Sequence, residues 1–166
     1  MQFEIMSRKE AVRYSKQQHK ESSIIISISD SYDFFPNINS TYFNGVKSVL
    51  FVSFDDIQEI NGKSERFWKK DEGLVFDSLT GASYKLISKE DAKKIVDFVI
   101  SWKDKVDKII VHCNAGISRS SGVCAAIMKA LTGSDKEIFN SHRYLPNTTC
   151  YKMVLEEFVE RGFYHG

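Results

Sequence analysis

A chain of 166 residues, 42% hydrophobic and 27% charged, is long enough to bury a sizeable core and has the make-up of an ordinary soluble globular protein. Its net charge of +1 argues against a general nucleic-acid or membrane-surface role. Three cysteines do not make a disulfide framework, and the opening Met1-Gln2-Phe3-Glu4-Ile5 lacks the pattern of a secretory signal. The expectation is a single domain over residues 1–166, working in the reducing cytoplasm without nucleic acid or membrane.

Gln2 to Met6 reads as a short opening strand, and Ser7 with Glu10 makes a capping box for a helix over Arg8 to Gln18. Ser23 to Ser29 (SIIISIS) has the continuous apolar character of a strand buried on both faces of a central sheet. Asp30 to Gly45 is turn-rich and aromatic (Tyr32, Phe34, Phe35, Tyr42, Phe43); it is expected to pack over the core, the alternative being the rim of a site. Val46 to Phe54 is a second central strand and ends in Asp55-Asp56-Ile57. In parallel α/β sheets ligands bind beyond the carboxyl ends of strands, so a carboxylate here faces a crevice.

Ile60 to Leu86 reads as an insertion. Gly62 to Lys70 is polar and basic around Phe67-Trp68, and Gly73 to Ile87 forms a hairpin turning at Thr80-Gly81. A surface excursion is expected, with a flap carrying Lys69 and Lys70 towards an acidic substrate as the alternative. Ser88 caps a helix to about Lys103 whose apolar stripe is Ala92, Ile95, Val96, Val99 and Trp102. After the stretch described next, Ser134 and Glu137 form a capping box for a short helix to about His142. Asn147 then caps a last helix, Thr148 to Arg161, with Tyr151, Leu155, Phe158 and Val159 inward. These elements predict an α/β fold of three layers, a central mostly parallel sheet flanked by helices.

The stretch Lys108 to Leu131 carries the chemistry. A β-branched run, Ile109 to Val111, leads through His112 to Cys113; five residues, Asn114, Ala115, Gly116, Ile117 and Ser118, separate that cysteine from Arg119, where a helix begins. A loop wrapped on a helix N-terminus turns unpaired N–H groups and partial positive charge towards one spot, which suits a phosphate dianion. Arg119 adds a planar fork matched to two phosphate oxygens. The same field favours the thiolate of Cys113, a nucleophile beneath the bound phosphorus, and Ser120 can donate a hydrogen bond to that sulfur. Cys124 on the following helix reads as a core residue, with a role as resolving partner for oxidised Cys113 as the lesser alternative.

His112-Cys113-Asn114-Ala115-Gly116-Ile117-Ser118-Arg119-Ser120 resembles, position for position, the signature of the protein tyrosine phosphatase superfamily in its dual-specificity form. Phe54-Asp55-Asp56-Ile57 is similar to the strand-end Asp-Ile of a compact bacterial branch of that superfamily, and Pro146-Asn147 to the support of the phosphate loop in dual-specificity enzymes. The resemblance implies the Cys-x5-Arg phosphatase fold and hydrolysis of phosphotyrosine, with phosphoserine and phosphothreonine open, through a phosphocysteine intermediate. It implies no cofactor and no metal. Cys113, Arg119, Ser120 and an aspartic acid would be catalytic, Asn114 to Arg119 would bind substrate, and the partners would be phosphoproteins or phosphopeptides and phosphate-like anions. His112 would position the loop rather than act as a base. For the acid, Asp56 ranks first, then Asp55, then Asp77, which lies closer to Cys113 in sequence but in the hairpin. The competing reading is a catalytically weak or inactive phosphate- or phosphoprotein-binding module on the same fold.

Overall fold

The computed structural model describes residues 1–41, 44–58, 67–69 and 73–163. Four strands, β1 (Gln2–Met6), β2 (Ser23–Ser29), β3 (Val46–Ser53) and β7 (Lys108–His112), form a wholly parallel sheet in the order β1-β7-β2-β3. All seven residues of β2 are buried, as its unbroken isoleucine run predicts. Because the strands are parallel, their carboxyl ends meet at one edge. Ser7, Asp30, Phe54 to Asp56 and Cys113 all follow directly from that edge.

Helices cover both faces. On one side α2 (Lys89–Trp102), α3 (Arg119–Thr132) and α5 (Thr148–Glu160) close over Ile24, Ile26, Ile28, Ile109 and Val111. On the other, α1 (Arg8–Ser15) packs through Ala11 on Ile25, Val46 and Ile110. The α2 stripe is as predicted, with Ala92, Ile95, Val96 and Val99 buried and Trp102 packed at its margin. Gly122 lets α3 and α5 touch: a Cβ there would stand 2.4 Å from the Asn147 carbonyl oxygen.

The insertion contributes a second sheet. Strands β4 (Phe67–Lys69), β5 (Leu74–Asp77) and β6 (Ser83–Lys85) pair antiparallel, and the β5–β6 hairpin turns over 78–80 into Gly81, as the sequence suggests. The alternative of a flap carrying Lys69 and Lys70 lies outside the described residues and side chains.

Four local expectations need correction. Helix α1 stops at Ser15 rather than Gln18, because the Ser15 carbonyl is taken by Asn44 Nδ2 at 2.7 Å and the Ser15 hydroxyl bends back to Val12 O at 2.9 Å. The capping box at Ser134 does not form. Asp135 is the N-cap of a single turn, α4 (Lys136–Phe139), and its carboxylate accepts the Tyr151 hydroxyl at 2.5 Å instead of capping. Val159 is 46% exposed, while Phe158 beside it is fully buried. Finally, the loop after β2 packs through Pro36 and Ile38, while Tyr32, Phe34 and Phe35 are exposed; Tyr42 and Phe43 lie outside the described residues. Among the described residues no helix is long and apolar enough to cross a membrane.

Candidate active site

The loop between β7 and α3 is anchored on every side by backbone. The Asn114 carbonyl accepts Arg8 N–H at 3.1 Å, Ile117 O accepts Leu145 N–H at 3.1 Å, and Ser118 O accepts Asn147 N–H at 3.0 Å. Gly116 has φ +71°, and a Cβ there would come within 2.7 Å of the Met6–Ser7 peptide; glycine is what allows the loop to lie against the β1–α1 junction. Asn114 and Ala115 are exposed, and Ile117 is half-exposed.

Cys113 is buried, with Sγ 3.0 Å from the Ser120 hydroxyl oxygen in the first turn of α3. Helix α3 begins at Arg119, as expected, but Ser118 gives its N-terminus no side-chain cap; the Ser118 hydroxyl donates to Asp56 Oδ1 at 2.7 Å instead. Uncapped first-turn amides leave the positive end of a 14-residue helix open to an anion. Arg119 Nη1 donates to Asp30 Oδ1 at 2.6 Å and to Phe54 O at 2.8 Å. Its Nε is buried and has no partner among the described residues, a donor that an incoming oxyanion would satisfy.

His112 does not face this chemistry. Its Nδ1 meets Cys113 O at 3.1 Å and its Nε2 meets the Ser27 hydroxyl at 2.6 Å. A carbonyl only accepts, so Nδ1 carries the proton and Nε2 accepts from Ser27. Burial pushes the His112 pKa down to about 4, keeping the ring neutral. The imidazole fixes the strand-to-loop junction, as its sequence position suggests.

The three aspartate candidates separate clearly. Asp56 touches the loop: its Oδ1 accepts from Ser118 and, at 2.9 Å, from Asn147 Nδ2. Asp55 points elsewhere. It is buried, accepting from Ser31 N at 2.9 Å, Ser31 Oγ at 2.5 Å and Lys85 N at 2.7 Å, and so ties the loop after β2 to β6. Asp77 is also buried and caps its own hairpin, accepting from Leu79 N and the Thr80 hydroxyl at 3.0 Å each. A cavity of about 250 Å³ lies beside Asp56. Tyr32, Ile57 and Tyr84 line it together with Asp30, Asp55 and Asp77.

Two site residues escape the sequence reading. Asp30 holds Arg119, and Ser27 orients His112. Asp30 follows β2 as Asp55 follows β3, so the strand-end argument applies to it equally; what hides it is that its partner lies 89 residues away. Asn147 is recognisable as a cap, which it forms with Cys150 N at 2.9 Å, but its amide also grips Asp56 and Ile57 O. Cys124 and Cys150 are buried, and burial raises both thiol pKa values, that of Cys124 to about 12, so they rest as protonated core thiols.

No protein-family model matches the chain, and no curated protein matches it. Solved structures do match. The crystal structure of Tk-PTP in its active form is similar at a TM-score of 0.51 and 18% identity, covering 96% of this chain and 90% of that one. The human tyrosine phosphatase-like serine/threonine/tyrosine-interacting protein is similar at 0.51 and 16%, covering 95% and 91%. PTPMT1 in complex with PI(5)P superposes at 0.48 and 15%, covering 96% and 91%. The likeness to the first two is one of fold: this chain has the α/β fold of the protein tyrosine phosphatases.

Proposed function

We propose that the protein is a cysteine-dependent phosphatase that hydrolyses phosphotyrosine monoesters, with phosphoserine and phosphothreonine monoesters as a second substrate class, in phosphoproteins or phosphopeptides of the cytoplasm. The observation that carries the reading is the pair of anion donors at the helix start that follows the Cys113 loop: the buried Nε of Arg119, without a partner among the described residues, and the uncapped start of α3. Arg119 is held from behind by Asp30 and Phe54 O, so its fork is oriented before substrate arrives.

In this scheme the Cys113 thiolate attacks phosphorus and the ester P–O bond breaks, with the Asp56 carboxyl giving its proton to the leaving oxygen. Water then attacks the phosphocysteine, Asp56 takes its proton, the P–S bond breaks and inorganic phosphate leaves. Ser120, 3.0 Å from the sulfur, stabilises the departing thiolate. Asp56 is favoured as the acid because it is exposed and borders both loop and cavity, whereas Asp55 and Asp77 are buried and spent on backbone and hydroxyl donors. Residues 114–118 include no basic side chain of the kind expected for highly charged phosphate ligands, which favours a monoester substrate.

The test is hydrolysis of an aryl phosphate in excess chelator by wild type and Cys113→Ser. Turnover lost only in the variant supports the reading. If wild type is inert yet binds phosphate analogues, the chain is a phosphate-binding module on this fold.

A further inference from the structure

We infer that the free edge of β3 docks the substrate polypeptide, a flanking segment of which adds to the sheet as a further strand beside Val49 and Phe51; this rests on the phosphatase reading above. β3 is the last strand of the parallel sheet, so one side pairs with β2 and the other with no strand among the described residues. Phe54 N–H donates to Ser29 O at 3.1 Å, which sets the phase of the ladder. Alternate residues turn their main-chain groups to the neighbour, so Ser48, Leu50 and Val52 spend theirs on β2 while Val49, Phe51 and Ser53 turn theirs outward. Ser53 O accepts from Lys85 Nζ at 2.8 Å. The outward N–H and C=O groups of Val49 and Phe51 have no partner among the described residues, and Phe51 is 39% exposed. Native edges are blunted by charge, proline, bulges or brevity, yet β3 runs for eight residues and Ser48 to Ser53 holds no charge, proline or glycine.

A row of alternating donors and acceptors is matched by another extended main chain. The substrate's own chain is the occupant because the strand leads straight into the site. Phe54, three residues on from Phe51, gives its carbonyl to Arg119, and Asp56 follows it. Three strand residues span about 10 Å, and the three strand spacings from β7 to a segment docked on β3 span about 14 Å. The docked segment therefore lies about 17 Å from Cys113, a distance that about five extended residues cover. Beyond Phe51 the edge is closed by Lys85, whose carbonyl also accepts Asp55 N–H at 2.7 Å, so the pairing stops short of Asp56. The Phe51 ring, with its centroid 5.2 Å from that of Phe35, seats one apolar side chain of the added strand. Recognition is otherwise through main chain.

The test compares kcat/KM on phenyl phosphate, on phosphotyrosine amide, and on two phosphotyrosine peptides extended by eight Thr and Val residues, one on the amino side and one on the carboxyl side. One extended peptide should exceed phosphotyrosine amide about 3- to 30-fold through a lower KM, and N-methylation of alternate amides in its flank should remove the gain. Val49→Pro deletes one outward N–H and none that bonds β2, as an edge strand tolerates. It should cut the gain about 3- to 10-fold and leave phenyl phosphate within about twofold. Extended peptides no better than phosphotyrosine amide, or a gain that survives N-methylation on wild type, overturn the docking edge while the phosphatase reading stands. A dimer in sedimentation that Val49→Pro dissociates, with the peptide gain unchanged, gives the edge to a second copy of the chain and overturns it too. A wild type inert on phenyl phosphate and phosphotyrosine overturns both.

Discussion

Arg119 Nη1 and Asp30 Oδ1 stand 2.6 Å apart, with the two side chains only 6% and 13% exposed. The pair joins the helix after β7 to the end of its neighbour β2. Breaking a buried pair from one side strands the other charge, so Asp30→Ala should cost about 3–5 kcal/mol of unfolding free energy in urea titrations. The freed guanidinium still attracts anions but no longer presents a fixed fork. We therefore expect kcat/KM on an aryl phosphate to drop at least about tenfold, with a smaller change, about threefold or less, in phosphate Ki. Equal losses in both would mean that Asp30 serves phosphate affinity rather than the orientation of Arg119.

The aspartates at 55, 56 and 77 should divide by property. Asp56→Asn should leave stability within about 0.5 kcal/mol, as exposed positions usually do, and slow turnover most for poor leaving groups. Asp55→Asn and Asp77→Asn should instead lower stability by about 1–3 kcal/mol, since each carboxylate satisfies buried donors. Their activity, measured below the shifted unfolding transition, should show no leaving-group dependence. A leaving-group effect in Asp55→Asn would reverse the assignment.

What the sequence makes legible follows from how local each signal is. The nine-residue motif from His112 to Ser120 is continuous, running from the strand end into the first turn of the helix, and the isoleucine run of β2 declares its burial without reference to a partner. The same locality explains the misses. Asp30, Ser27 and the second grip of Asn147 act on residues 85 to 91 positions away, brought near only because parallel strands align their carboxyl ends. The exposed Tyr32, Phe34 and Phe35 mislead in the opposite sense: aromatic content predicts packing, but the stapled backbone around Arg8 turns these rings to solvent. Sequence ranks Asp56 before Asp55 and Asp77 without separating them, and it is the donors around each one that set Asp56 apart.

Gly122 ties helix packing to Asp56, the proposed acid. An added Cβ meets the Asn147 backbone at 2.4 Å, and backbone cannot step aside as a flexible side chain can. Gly122→Ala should therefore push the start of α5 away from α3, costing about 1–3 kcal/mol. Since the Asn147 amide holds Asp56, the variant should also steepen the dependence of kcat on leaving-group pKa. Asn147→Ala, which loses a helix cap at about 1 kcal/mol together with that grip, should share the kinetic signature. A purely thermodynamic loss in both variants, with an unchanged leaving-group slope, would uncouple Asn147 from the acid.

His112 sets a pH window for stability. Its folded pKa is lowered from 6.5 to about 4, first by burial and then by the positive charges of Arg8 and Arg119, with the hydrogen bond to Cys113 O opposing. Between those values the unfolded chain binds a proton that the folded one excludes, so stability rises with pH there. The contribution is fully present above the unfolded value and is lost as pH falls from about 7 towards 4, on the order of 3 kcal/mol in all. The lowered carboxyls of Asp33 and Asp107 act lower, below their ordinary pKa of 3.8, and leave this window clear. Urea titrations at intervals from pH 7 to pH 4.5 should show wild type losing stability steadily, and His112→Asn, weaker at pH 7 through its altered bonds to Ser27 and Cys113, should show a much flatter profile. Parallel profiles for the two proteins would mean that the buried imidazole takes up its proton without opening the fold.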